Sequence, residues 1–168
     1  MRALAVLLCL LLPAPAAASC LHNCAVDDTG YALIKDFEGY SPFVYKDSGG
    51  VPTVGFGHAI LPGEHIKTPL MGADALQLLK HDIARRTPEL NRIINVPLAT
   101  VQFDALTSFA YNVGVAKLRR STLLRCVNTN HQREVHPQFL RWDTAAGRVL
   151  LGLKLRREAE AELYDSAL

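Results

Sequence analysis

The sequence predicts a mainly helical α+β fold, with a small N-terminal β-hairpin lobe, a larger all-helical lobe and a cleft between them. Three observations predict it. Apolar residues recur at helical spacing along most of the chain. A glycine turn, Asp47-Ser48-Gly49-Gly50, separates two short β-forming runs early on. The chain has 168 residues, 49% hydrophobic and 20% charged, enough for one core and one domain. That composition excludes a disordered or collagen-like chain, and no internal repeat suggests a solenoid.

Residues 1–26 are set apart from the folded unit expected over 27–168. Met1-Arg2 supplies a positive charge, Ala3 to Leu12 is an unbroken apolar run, and Ala16-Ala17-Ala18 precedes Ser19. These are the parts of a secretory signal, while Pro13 and Pro15 disfavour a stable membrane-spanning helix. The stretch from Ala3 to Val26 carries no Asp, Glu, Lys or Arg, so a transient signal-anchor is an equal reading. Lipid attachment at Cys20, after Ala-Ala-Ser, is a third. All three put the rest of the chain outside the cytoplasm.

Cysteines fit that address without settling their pairing. Cleavage after Ala18 removes Cys9 and leaves Cys20, Cys24 and Cys126, an odd number in an oxidising compartment. Cys20 and Cys24, four residues apart, can be bridged in only some backbone conformations. Cys126 reads as a buried apolar cysteine, and the lack of a Cys-x-x-Cys pair argues against thiolate zinc.

The first helix runs from Thr29, as N-cap, to Glu38, with Leu33, Ile34 and Phe37 on one face and Gly39 as the stop. Phe43–Lys46 and Val51–Gly57 form the hairpin arms. A helix follows over 72–86, with Leu76, Leu79 and Ile83 on one side. A stronger one runs from Thr100, as N-cap, through Phe103, Leu106 and Phe109 to Gly114. Short helices are expected near Ser121 and His136, and a last one over 152–166. Trp142 reads as a core residue.

Charge is uneven. The chain carries +2 overall, but residues 115–157 carry +8 and the last eleven residues −4. A basic segment this dense suggests an anionic partner surface. Nucleic acid is not expected, because aromatics do not interleave with the arginines.

Chemistry is expected where the first helix hands over to the hairpin. Glu38 ends the helix, Asp47 opens the turn and Thr53 lies on the return strand. Two carboxylates flanking a cleft suit glycosidic cleavage: one protonates the leaving oxygen, and the other, ionised, holds or activates a water. Burial beside Phe37, Tyr40 or Tyr45 would favour the protonated form of Glu38, while backbone N–H groups around a turn carboxylate keep it charged.

The spacing Glu38, eight residues, Asp47, five residues, Thr53 resembles the catalytic signature of phage-type lysozymes (glycoside hydrolase family 24). The segments Tyr45–His58, Gln102–Gly114 and Gly152-Leu-x-x-Arg-Arg-Glu are similar to that family too, and the resemblance covers roughly residues 29–165. It implies a lysozyme-like fold and an inverting muramidase that cleaves the β-1,4 bond between N-acetylmuramic acid and N-acetylglucosamine of peptidoglycan and lyses bacterial walls. Glu38 would be the general acid, with Asp47 and Thr53 positioning water. Tyr111 and Asn112 would line the sugar cleft, and His58 would make a structural ion pair with a carboxylate on the next helix, for which Asp82 is the candidate. Arg156 or Arg157 would approach Glu38.

No cofactor or metal is expected. Peptidoglycan is the expected partner of a monomeric enzyme in the bacterial periplasm, reached through the inner membrane. The exported branch of the family includes signal-arrest-release members, tethered and inactive until the N-terminal segment leaves the bilayer. No cysteine lies between Glu38 and Thr53, so blocking of these residues by a disulfide is not expected. Two rivals share the fold. A lytic transglycosylase uses a Glu without the Asp, against which Asp47 and Thr53 argue. A non-catalytic wall-binding protein would not need the three residues.

Overall fold

A computed structural model describes residues 19–47, 49–145 and 147–168. The apolar run from Ala3 to Leu12, the sequence around Ala16–Ala18 and Cys9 lie outside them. Among the described residues, no helix is long and apolar enough to cross a membrane.

The chain begins with β1 (Ser19–Cys20) and then α1 (Asp28–Glu38). Asp27, not Thr29, caps α1: its Oδ1 accepts from the Thr29 and Gly30 N–H groups. Gly39 follows Glu38 with φ +69, a conformation open to glycine, and stops the helix where expected. The anticipated hairpin is a three-stranded antiparallel sheet, β2 (Ser41–Lys46), β3 (Pro52–Gly55) and β4 (His58–Ala59), in that order. Thr53 pairs with Tyr45 on one side and Ala59 on the other.

Next comes α2 (Gly72–Ile93), which runs past residue 86 and carries Pro88 inside it. Pro88 removes one N–H from the ladder. Just before it, Arg86 Nη1 donates to the Asp82 carbonyl and the Thr87 hydroxyl to that of Ile83, at 2.7 and 2.9 Å. Strand β5 (Leu98–Ala99) then pairs with β1, an association that no local pattern announced. Helix α3 (Thr100–Val113) starts with Thr100 as its first residue, one position off the expected cap; Gln102 Oε1 instead accepts from the Ala99 N–H.

The rest of the helical lobe is α4 (Val115–Arg119), α5 (Thr122–Asn128), α6 (Gln132–Leu140) and α7 (Leu151–Asp165), with the small hairpin β6 (Thr144–Ala145) and β7 (Arg148–Val149) before α7. Helix α4 and this hairpin were not expected. Ser121 caps α5, its Oγ accepting from the Leu124 N–H. Helix α6 begins four residues before His136 and holds Pro137 internally.

The main core gathers around α3, where Phe103, Ala105, Leu106, Phe109 and Ala110 are wholly buried. Phe139 and Trp142 meet Phe109 edge-on at 5.5 and 5.2 Å, so Trp142 is packed against the core. Cys126 is a buried free thiol there. A second cluster, Ile34, Leu79 and Ile83, joins α1 to α2, and a third, Val54, Leu70 and Ala75, seats the sheet on α2. These contacts hold the two lobes together around the cleft.

The N-terminal stretch is fastened to the helical lobe. Cys20 and Cys24 are disulfide-bonded with their Cα atoms 5.2 Å apart, around a bend at His22, whose φ is +64. The Asn91 side chain bonds both the N–H and the carbonyl of Cys24, at 3.0 and 2.9 Å.

Candidate active site

Helix α1 ends at Glu38 because Gly39 breaks it, which leaves the side chain at the junction of the lobes. The opposite wall is the turn after β2. There Asp47 Oδ1 accepts from the Gly49 and Val51 N–H groups, both at 2.8 Å. A carboxylate with two backbone donors is fixed in place. Between these elements opens a cleft of about 650 Å³, lined by Glu38, Asp47, Gly57, His58, Asp82, Arg85, Arg86, Tyr111 and Asn112 among others. Burial, then the charges of Glu38 and Asp47, push the Tyr45 phenol up, so both acids act on one neighbouring ring.

Glu38 is paired with a buried base. Its Oε1 receives Arg156 Nη1 at 2.7 Å, and its Oε2 stands 2.8 Å from where a Cβ on Gly57 would be. Tyr40 turns away, with its hydroxyl on the Leu70 carbonyl and its ring on Phe56. The Arg156 guanidinium lies 5.7 Å from the centre of the Phe37 ring. Arg156, not Arg157, is therefore the residue that reaches Glu38.

Behind that pair is a buried network. Glu160, with no solvent exposure, accepts at Oε1 from Arg156 Nε at 3.1 Å, Arg157 Nη2 at 3.2 Å and the Ser108 hydroxyl at 2.7 Å. Burial pushes Glu160 up in spite of the two guanidiniums, and pulls Arg157 down to about 10. Arg157 Nη2 also reaches Asn112 Oδ1 at 3.0 Å. One carboxylate thus sets the arginine at Glu38 and the arginine at Asn112. Two of the ten bases in the segment 115–157 are consequently internal, and do not belong to a solvent-facing basic surface.

Thr53 is buried on β3, its hydroxyl donating to the Val51 carbonyl at 3.0 Å. It stands beside the Asp47 turn and is absent from the residues that form the cleft wall. Tyr111 donates to the Phe56 carbonyl at 3.0 Å, and Arg86 stacks on its ring at 5.0 Å. His58 Nδ1 is 2.8 Å from Asp82 Oδ2, and its Nε2 is 3.1 Å from Glu64 Oε2, so the ring bridges two acids. The Leu61 N–H, and then His58, hold Glu64 below the usual carboxylate range. Among the described residues, no group of three His, Cys, Asp or Glu side chains is placed to hold a metal ion.

Sequence reading missed Gly57, Arg85, Arg86, Ser108 and Glu160. The spacing of Arg156 and Glu160, four apart on a helix, was a readable signal. The others depend on tertiary approach.

A phage lysozyme family model matches residues 35–160, three quarters of the chain. The chain belongs to the phage lysozyme family. The chain is 35% identical to an endolysin of Bacillus phage B103 over 83% of its length, and spans about half (53%) of that relative's length. It is 37% identical to a SAR-endolysin of Enterobacteria phage P21, over 80% of this chain and 81% of the other. Its fold matches a solved endolysin from Escherichia coli O157:H7 phage FAHEc1 with a TM-score of 0.78 and 30% identity, covering 87% of this chain and 96% of that one. The α+β lysozyme fold expected from the sequence is the observed one.

Proposed function

We propose that the chain is a muramidase that hydrolyses the β-1,4 bond between N-acetylmuramic acid and N-acetylglucosamine with inversion, and so lyses bacterial walls. One observation carries the reading: Glu38 and Asp47, from a helix end and a facing turn, line the same cleft.

Glu38 gives its proton to the glycosidic oxygen as the C1–O bond breaks. The carboxylate left behind is received by Arg156, already bonded to Oε1. On the other face of the sugar, Asp47 takes a proton from a water whose oxygen bonds to C1. Thr53, buried beside the Asp47 turn with its hydroxyl on the Val51 carbonyl, positions that water through the turn it supports. Tyr111 and Asn112, both on the cleft wall, bear on the flanking sugars. An inverting enzyme of this kind has its two carboxyls ~6.5–9.5 Å apart, room for the water.

Mass spectrometry of muropeptides released from purified sacculi tests this. Water-added reducing ends are expected, and anhydro ends would assign a lytic transglycosylase instead. The Glu38→Gln variant should lose lysis; if it lyses as fast as wild type, this site is not the source. NMR of the freshly formed anomer reads inversion directly.

We read residues 1–26 as the export segment that delivers the enzyme to the periplasm, tethered first at the inner membrane and then released. The similarity to SAR-endolysins supports this reading. Membrane fractionation before and after collapse of the membrane potential should move the full-length protein from membrane to soluble fraction. A shortened, soluble protein throughout would point to a cleaved signal.

A further inference from the structure

Each acid on the cleft wall already has a partner. Glu38 has Arg156, Asp82 has His58, and Asp47 has the Gly49 and Val51 N–H groups. The two arginines that α2 sends to the same wall, Arg85 and Arg86, are different. Neither makes an ion pair within 4.0 Å among the described residues. The cleft wall therefore holds two cations with no acid partner among the described residues, Arg85 exposed and Arg86 half-buried.

Arg86 is held ready. Its guanidinium stacks on Tyr111 at 5.0 Å and its Nη1 donates to the Asp82 carbonyl at 2.7 Å, while Tyr111 is itself tied to the Phe56 carbonyl. Nε and Nη2 remain for an acceptor. A pre-set fork loses little freedom when it binds. Arg85 is exposed beside it on the helix. The charge of Arg85 is felt by Glu64, an acid already engaged by Leu61 and His58.

We propose that Arg85 and Arg86 form an anion subsite of the cleft that takes carboxylates on the peptide stems of the glycan strand. The proposal rests on the muramidase reading and adds a specificity to it. Carboxylate is the chemistry a guanidinium fork matches in two parallel bonds. A neutral glycan of the same backbone offers nothing to either arginine. The enzyme would then prefer peptide-bearing, anionic wall over an uncharged polymer, with the preference expressed in KM.

The test compares purified sacculi with the same sacculi after conversion of their carboxylates to methylamides. With the full-length chain, wild type should show kcat/KM about tenfold lower on the amidated wall, the scale of one or two charge-assisted hydrogen bonds. Arg85→Gln, at an exposed position, should lower that preference alone, and the Arg85→Gln/Arg86→Gln double variant should bring it close to one. Arg86→Lys, which keeps the charge, should retain most of it. A double variant with the full wild-type preference, or a wild type with none, overturns the subsite. A wild type inert on both walls overturns the muramidase reading instead.

Discussion

Arg156 and Glu38, 118 residues apart in sequence, meet at 2.7 Å where the two lobes join. The arginine is almost fully buried and donates from the same guanidinium to Glu160. Removing it leaves Glu38 without its cation and Glu160 with Arg157 alone. Arg156→Ala should cost about 3 kcal/mol of stability in urea unfolding, in line with broken buried pairs. Activity on sacculi should fall ~100-fold, as for loss of one charge-stabilising donor. Arg156→Lys should recover part of the activity, since it restores charge without the fork.

Gly57 is needed twice over. Its φ is +78, and a Cβ would stand 2.8 Å from Glu38 Oε2. Gly57→Ala should cost roughly 1–2 kcal/mol for the left-handed backbone. The larger effect is on the acid, which must move. Turbidity assays should show a loss of ~100-fold with the circular dichroism spectrum unchanged, the scale of a 1 Å misplacement.

Asp104 gives a pH dependence of stability. Burial, and then the neighbouring Asp27 carboxyl, push it up to about 8, while its partner Asp27 is held below the usual range. The native state keeps the Asp104 proton until about pH 8, whereas the unfolded chain releases it near 3.8. Its contribution is therefore complete below pH 3.8 and fades as the pH rises toward 8. The Asp27 shift has the opposite sign and is lost in acid. Asp104→Asn stays neutral, and its amide supplies a donor at the position of Oδ2, which has no partner among the described residues. Melting temperatures measured across pH 5–8 should decline less for the variant than for wild type.

The Cys20–Cys24 bridge closes a short loop, so its loss should cost only about 2 kcal/mol in the chain-entropy picture. Cys20→Ser should leave the rate on sacculi unchanged, because no residue of that loop lines the cleft. Limited proteolysis should nonetheless cut the variant sooner around residues 19–24, as the Asn91 clasp on Cys24 loses its covalent support.

Much of the site was legible from local signals. Gly39 after Glu38, and Asp47 followed by two glycines, are a helix stop and a turn that need nothing from the rest of the chain. What depended on distant partners was not legible. Thr29 and Asp27 are both good caps, and the choice fell to Asp27, whose N–H is gripped by Asp104 from α3 at 3.2 Å. Strands β1 and β5 are two residues each, too short to carry a pattern, and exist by pairing with each other. Pro88 looks like a helix end, yet α2 continues because its buried face, Leu79, Ile83 and Leu90, continues across it. Arg156 and Arg157 are successive positions on one helix and both reach Glu160, and which of them meets Glu38 rather than Asn112 depends on how α7 packs against α1 and α3.

Helix α1 begins at the Asp27–Asp104 contact and ends at Glu38, with eleven residues between cap and stop. At 1.5 Å per residue that is a stiff rod about 16 Å long. Glu38, the proposed proton donor, is mounted on the far tip of the rod whose near tip holds the Asp27–Asp104 contact. A pull at Asp27 arrives at Glu38 along one unbroken helix.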